Sequence, residues 1–123
     1  DRRRAVGLTI YKALKAAEDE YLAGKTSRAD ILGAARNVAE TVLSRQQSLS
    51  PSERALYEVD YISLADPVTL DELEVVDPAK GAVLSTAFKM APLEESKAGE
   101  VCGLGDGKVP VRLIDNLILA PRA

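Results

Sequence analysis

Near the end of the chain stands the stretch Val111-Arg112-Leu113-Ile114-Asp115-Asn116-Leu117-Ile118-Leu119, two apolar runs around an arginine and an Asp-Asn pair. Residues of this apolar kind favour a strand that enters a core, and Asp-Asn predicts a turn or bulge within it. Buried polar groups need hydrogen-bond partners, so we expect partners for Arg112, Asp115 and Asn116, a nearby carboxylate in the case of Arg112. Their role is then structural, and Asp115→Ala is expected mainly to lower the melting temperature.

Outward from this stretch, the composition is that of an ordinary globular domain. The chain has 123 residues, of which 46% are hydrophobic and 28% charged, so we expect a single domain over residues 1–123. A net charge of -3 gives no attraction to nucleic acid or to anionic membranes. No apolar run is long enough for a bilayer, and no signal-peptide pattern opens the chain. We expect a soluble, cytoplasmic protein without nucleic-acid or membrane partners.

The absence of histidine restricts the possible chemistry. Without His the chain has no Ser-His or Cys-His nucleophile, no imidazole acid–base group and few options for zinc. Cys102 is the only cysteine, which excludes an intramolecular disulfide, fits a reducing compartment and predicts an inert loop thiol. The chain starts at Asp1 without Met and enters a helical pattern directly, which predicts a piece of a longer protein.

Two amphipathic helices are predicted in the first half. Over residues 1–24 the apolar residues recur at steps of three and four, and Gly24 is a typical stop; the stripe is Val6, Ile10, Leu14, Ala17 and Tyr21. Ser27 with Asp30 is typical of the start of a second helix, which we expect to end over residues 45–48. Small residues on both helices predict that they pack as an αα-hairpin. A short helix is expected over residues 50–56. Arg2, Arg3 and Arg4 fit a solvated turn, a helix whose true start lies upstream, or an anion contact.

The second half predicts three strands. In residues 60–65, Ile62 and Leu64 point opposite to Tyr61 and Ser63. In residues 81–90 the even positions share one face; on the other, the side chains of Val83, Ser85 and Ala87 are small enough to lie under a helix or another chain. Residues 92–110 read as an exposed loop insert before the last strand. The predicted fold is α+β, a two-layer sandwich with an N-terminal αα-hairpin packed on a three-stranded antiparallel sheet.

No stretch of the chain has the pattern of a self-contained active site. The glycine cluster at residues 103–107 lacks the Gly-Lys-Ser/Thr ending of a phosphate loop and predicts a hairpin tip. The carboxylates of Asp71, Glu72 and Glu74, and of Glu94 and Glu95, lie in polar connectors where they stay ionised. Turn capping is the ordinary role of Asp60, Asp66 and Asp77. We therefore assign no catalytic and no metal-binding residue; cofactor-binding residues stay unknown.

Several segments, taken in order, resemble one enzyme family. They are residues 2–8 with the alanine-rich helix, residues 22–25, the second helix, residues 60–64 with Asp66, Thr69-Leu70, and residues 112–116. Together they are similar to the C-terminal domain of pantoate–β-alanine ligase (pantothenate synthetase), over essentially the whole chain. The main departure is the insert at residues 92–110, where the family usually makes a shorter connection.

The resemblance implies a role in a larger enzyme. In this family ATP and Mg²⁺ support the conversion of pantoate to pantoyl adenylate with loss of pyrophosphate, and the amine of β-alanine then displaces AMP. The family's nucleotide motifs belong to an N-terminal domain that this chain lacks, so the fragment alone is expected to be inactive and to bind no cofactor. In this family the C-terminal domain acts as a lid. The expected partner of this chain is therefore the N-terminal domain of the same enzyme.

Two other interpretations remain open. The chain could be a stand-alone interaction module that uses its sheet or its alanine-rich helical face for dimerisation or peptide binding. It could also be a small enzyme with a buried carboxylate or lysine at its centre. A homodimer is possible under the leading interpretation as well.

Overall fold

The computed structural model describes residues 3–94 and 111–122. In chain order its elements are α1 (Arg4–Leu22), α2 (Arg28–Gln47), β1 (Tyr57–Ala65), β2 (Ala82–Met90) and β3 (Val111–Leu119). These strands form an antiparallel sheet in the order β1-β2-β3, and both helices contact it. The predicted α+β fold is confirmed. The expectations for Asp1, Arg2, Cys102, residues 103–107 and most of the insert concern positions outside the described residues.

The helices follow the predicted pattern. The whole α1 stripe is buried, from Val6 to Tyr21, because its spacing keeps these side chains on the side that meets α2 and the sheet. Gly24 takes a φ of +104° just after α1, where a residue without Cβ is least strained. At the start of α2 the hydroxyl of Ser27 accepts the Asp30 N–H at 3.2 Å, the predicted cap. The helix end at Gly24 and the cap at Ser27 thus bound a short turn, and α1 and α2 contact each other as the predicted αα-hairpin.

The prediction of a helix over residues 50–56 is wrong. The segment makes a single turn, in which the N–H groups of Glu53 and Arg54 donate to the carbonyl of Ser50. The Ala55 N–H then donates to the side chain of Gln46 at 2.9 Å, which draws the chain away from a helical path and into β1. Ser and Pro at the start of the segment suit a turn as well as a helix.

The sheet divides its side chains between two faces. On β2 the even positions, Ala82 to Met90, share one buried face, as predicted, and this is the face that meets the helices. Neither α1 nor α2 covers Val83, Ser85 and Ala87, where a helix is one of the expected occupants. On β1 the register shifts between Val59 and Tyr61, and this β-bulge lies at Asp60. Beyond the bulge Ile62 and Leu64 enter the core, again as predicted. The odd positions of β2 therefore point away from the helices.

Aromatic rings and one close backbone approach fix the core. The rings of Tyr57 and Phe88 stack with centroids 4.8 Å apart, and the Tyr57 hydroxyl donates to the Ala39 carbonyl of α2 at 2.6 Å. At the other end of the sheet Tyr21 donates to the Ala120 carbonyl at 2.8 Å. Gly81, with a φ of +75°, lies where a Cβ atom would stand 2.1 Å from the Leu119 carbonyl oxygen. Both ends of the helical layer are thus tied to the sheet.

The last strand differs from its prediction in two ways. β3 pairs with β2 without interruption from Val111 to Leu119, so Asp115 and Asn116 do not break it. It is also an edge strand of the sheet, and both of these side chains are exposed to solvent rather than buried. The Asp115 carboxylate accepts the neighbouring Asn116 N–H at 2.8 Å. The effect of Asp115→Ala on the melting temperature stays a prediction.

The described residues form two helices, α1 and α2, and neither is long and apolar enough to cross a membrane.

Candidate functional site

Among the described residues, the titratable side chains whose pKa is shifted are held by structural contacts. In that part of the chain no three His, Cys, Asp or Glu residues converge in a way that could hold a metal ion. Burial raises the pKa of Tyr57 to about 12, but its hydroxyl already donates to the backbone of α2. Lys15 has its pKa raised by a hydrogen bond to Glu18 on the same helix. These shifts have local structural causes.

The connector after β1 contains the carboxylates that the sequence singled out. Hydrogen bonds from the backbone N–H groups of Thr69 and Val68, at 3.0 and 2.8 Å, lower the pKa of Asp66, which confirms its role as a turn cap. Burial opposes ionisation of Glu72, but hydrogen bonds from Ser63 and Arg28 outweigh it and lower the pKa. Both groups therefore stay ionised. They organise a loop and do not have the raised pKa of a general acid.

The same connector covers an edge of the sheet. Glu72 forms a bridge with Ala65, and the Leu73 N–H donates to the Leu64 carbonyl at 2.8 Å, so this loop pairs with the outer edge of β1. Arg28 reaches across from α2 and donates to the Leu73 carbonyl at 3.1 Å and to Glu72 at 2.9 Å. The loop is thereby fastened to both layers of the fold.

The basic residues before α1 have unequal surroundings. Arg3 is only 6% exposed and donates to the Ala91 carbonyl, just beyond β2, at 2.9 Å, whereas Arg4 is exposed. A solvated turn is therefore the wrong interpretation for Arg3. Its contact ties the start of α1 to the end of β2. No local pattern signals this contact, because Ala91 is 88 positions away.

A group of charged residues occupies one end of the sheet. Arg112 donates to the Asp60 carboxylate at 2.7 Å, and the Lys89 ammonium is 3.6 Å from the same carboxylate. The guanidinium of Arg112 also lies over the ring of Tyr61, 5.8 Å from its centroid. The expected carboxylate partner of Arg112 is confirmed. Asp60, however, serves the bulge and this charged corner rather than a turn.

The side of the sheet that faces away from the helices is called here the open face. No helix or strand of the described residues packs on it, and pairing aligns its side chains in one charged row, Glu58, Lys89 and Arg112, followed by three uncharged rows. The uncharged rows are Tyr61, Ala87 and Ile114; Ser63, Ser85 and Asn116; and Ala65, Val83 and Ile118. A neutral polar row thus lies between two largely apolar rows. This surface, and no cluster of reactive groups, is the candidate functional site.

Comparison with known proteins identifies the family of the chain. The family model described as "Pantoate-beta-alanine ligase" matches residues 1–118. The chain belongs to the pantoate–β-alanine ligase family. It is 33% identical over 118 residues to the pantothenate synthetase of Herpetosiphon aurantiacus, and 33% identical over 117 residues to that of Chloroflexus aggregans.

The match to these relatives covers only part of their length. Each of these two alignments takes in 95% of the chain but 31% of the relative, so the chain spans about a third of the curated relatives. The crystal structure of the Thermus thermophilus pantothenate synthetase superposes with a TM-score of 0.59 at 22% identity, over 92% of this chain and 29% of that one. That likeness supports the fold, and the chain corresponds to part of an enzyme.

Proposed function

We propose that this chain is the C-terminal lid domain of a cytoplasmic, ATP-dependent ligase that condenses pantoate with β-alanine to pantothenate. The observation that carries the proposal is the family match over residues 1–118 by a chain about a third as long as its relatives. The carboxylates of Asp66 and Glu72 are engaged in the loop that they organise. We therefore assign ATP, Mg²⁺ and the catalytic residues to an N-terminal nucleotide-binding domain of the same enzyme.

The reaction proposed for the joined enzyme has two steps. A carboxylate oxygen of pantoate attacks the α-phosphorus of ATP, pyrophosphate leaves, and pantoyl adenylate forms. The amine of β-alanine then attacks the acyl carbon, AMP leaves, and the new amide nitrogen loses a proton. Adenylation converts a poor leaving group into a good one. The intermediate is also open to attack by water, which would return pantoate and waste ATP.

A lid contributes by excluding that water. Closure of a domain over a reactive acyl group keeps hydrolysis from competing with the amine, and it strengthens the electrostatic interactions within the site. Such a domain needs a rigid body more than it needs reactive groups. The ties at both ends of the sheet, from Arg3 to Ala91 and from Tyr21 to Ala120, support a domain that moves as one unit.

A chimera tests the proposal. The matched third of the Herpetosiphon aurantiacus pantothenate synthetase is replaced by this chain, and pantothenate formation is measured for the chimera, for the relative without that third, and for this chain alone. We expect turnover by the chimera, little or none by the truncated relative, and none by this chain alone. Turnover of the isolated chain at a rate close to that of the intact relative would contradict the proposal, as would a folded chimera that makes no pantothenate.

One observation favours a second candidate, a stand-alone module for dimerisation or protein binding. Ile114 and Ile118 of the open face are 58% and 60% exposed, which is typical of a surface that a partner covers. Sedimentation of the isolated chain, read together with the chimera, separates the two functions. A stable dimer of the isolated chain combined with a folded chimera that makes no pantothenate supports the module, whereas pantothenate formation by the chimera supports the lid domain whether or not the chain dimerises.

A further inference from the structure

The outward side of α1 carries a second stripe besides the one that enters the core. Its members recur at alternate steps of three and four, and they are called here the outer stripe: Leu8, Tyr11, Lys15, Glu18 and Leu22. This spacing is that of the a and d positions through which one helix packs against another. In chain order the three apolar members are 58%, 54% and 61% exposed, so the stripe lies on the surface of the domain.

The exposed side of the second helix has a different composition. Its exposed positions are polar or small, as at Arg36, Asn37 and Glu40. Within the helices of the described residues, the large apolar side chains that are exposed all belong to the outer stripe. Apolar side chains aligned on one line of a helix are typical of a surface that a partner covers.

Charge is divided along α1 in a way that the stability of the helix itself does not explain. Its three basic residues all precede its three acidic residues, in the order Arg4, Lys12, Lys15, Glu18, Asp19 and Glu20. The helix dipole favours the reverse, with acidic groups near the N-terminus and basic groups near the C-terminus. A helix that runs antiparallel over α1 and has the same division of charge would set acidic groups against basic ones at both ends. A second copy of α1 is such a helix.

We propose that a second copy of this chain packs on the outer stripe, with the two α1 helices antiparallel about a twofold axis. One register sets Lys15 against Glu18 of the second copy. The same register sets Tyr11 against Leu22 of the second copy, because each lies four residues farther from the middle of the contact. The twofold axis repeats both pairs, so from Tyr11 to Leu22 every member of the stripe meets a complementary group. A parallel, in-register pair would instead bring like charges together.

The side of the stripe that carries Lys12 and Asp19 strengthens this arrangement. Both residues are exposed, and in the antiparallel register Lys12 of each copy approaches Asp19 of the other. Charges beside the seam of two helices set the choice of partner and its orientation. Because one helix face is smaller than a standard interface of roughly 1,600 Å², we expect a reversible dimer. The inference does not depend on the proposed function, since it uses α1 and leaves the open face uncovered.

Sedimentation of the chain over a concentration series tests for the dimer. We expect the average mass to rise from one chain toward two as the concentration increases to about 1 mM. Lys15→Glu places two carboxylates in each central pair and should weaken association at least about tenfold, and Glu18→Lys should weaken it as much. The double variant Lys15→Glu with Glu18→Lys restores opposite charges. Its dissociation constant should return to within about threefold of that of the unaltered chain.

Two further variants are controls for the position of the contact. Arg36→Glu makes the same change of charge on the exposed side of α2, and Ile114→Lys with Ile118→Lys alters the open face. Both should leave the dissociation constant unchanged, with folding checked by circular dichroism. A chain that keeps the mass of one copy through the series contradicts the inference, as does a double charge variant that associates no better than the single ones. Loss of the dimer through the open-face pair would assign it to the sheet and overturn the inference.

Disulfide trapping tests the orientation, in a chain that carries Cys102→Ser. Tyr11→Cys chains mixed with Leu22→Cys chains should form a crosslinked pair on mild oxidation, because these positions face each other. Neither variant should crosslink with itself, since its two thiols stand about 16 Å apart along the helices, beyond the roughly 7 Å between Cα atoms that a disulfide spans. Crosslinking of Tyr11→Cys with itself as efficiently as in the mixture would show a parallel pair and overturn the inference.

Discussion

At the scale of single residues, Gly81 has the strictest backbone requirement. Its φ of +75° is disfavoured for residues with a Cβ atom, and a Cβ would stand 2.1 Å from the carbonyl oxygen of Leu119. That oxygen belongs to the backbone of β3, so it cannot move without a shift of the strand. The glycine therefore sets how closely the turn before β2 approaches the end of β3.

We expect Gly81→Ala to lower the free energy of unfolding by at least about 2 kcal/mol, through strain and steric overlap. Gly33→Ala is the control. Gly33 lies within α2, and a methyl group added there would meet no neighbouring atom within 4 Å, so alanine should stabilise the domain by about 0.5–1 kcal/mol. Urea denaturation of both variants measures the difference. Equal stability of the two would contradict the close approach.

Tyr57 gives the domain a dependence on alkaline pH. Its pKa rises from 10.0 to about 12 on folding, so between these values the folded state holds a proton that the unfolded state has lost. The contribution of the Tyr57 hydroxyl to the free energy of unfolding is fully present below pH 10.0, and it decreases as the pH rises toward about 12. Tyr57→Phe should be less stable at neutral pH, because it loses the bond to Ala39, but should lose less stability above pH 10.0.

The check is a set of denaturation curves between neutral and strongly alkaline pH. Tyr11→Phe, which removes an exposed hydroxyl on α1, serves as the matched control for the loss of a tyrosine hydroxyl. If Tyr57→Phe and the unaltered chain lose stability in parallel, the buried hydroxyl is not the cause.

At the scale of elements, the apolar periodicity is enough to predict both helices, the antiparallel sheet and the two faces of β2. It does not reveal that β3 is an exposed edge, because nine mostly apolar residues form the same pattern whether one face or both faces are covered. The segment at residues 50–56 is a turn that resembles a helix start, because Ser50 and Pro51 begin either. The buried position of Arg3 depends on Ala91, a contact too distant in sequence for any local pattern.

The loop between β1 and β2 is held to α2 by the side chain of Arg28. Arg28 bonds both the Leu73 carbonyl and Glu72, so Arg28→Lys, which cannot span both acceptors, should release the loop from α2. Amide hydrogen exchange should then accelerate at Leu73 and Val76, whose N–H groups bond Leu64 and Thr26. Arg36→Lys, an exposed change on the same helix, is the control. Unchanged exchange in Arg28→Lys would show that backbone pairing alone holds the loop.

At the scale of the whole molecule, the candidate site could be predicted only in part. The small side chains of Val83, Ser85 and Ala87 indicate from the sequence that something could lie over them. The three-row surface itself requires the register between strands, in particular the alignment of Ser63, Ser85 and Asn116. Family membership is indicated by ordered segments along the chain. The proposed lid role is consistent with a chain that has little catalytic sequence pattern of its own.

The most direct test of the central claim is the ratio of AMP released to pantothenate formed, measured in the chimera and in the same relative without its matched third. If this chain is the lid of the ligase, the chimera releases AMP and pantothenate in equimolar amounts. The truncated enzyme should make little pantothenate, and any AMP that it releases should exceed the pantothenate because water reaches the adenylate. Equimolar, undiminished synthesis by the truncated enzyme would contradict the account.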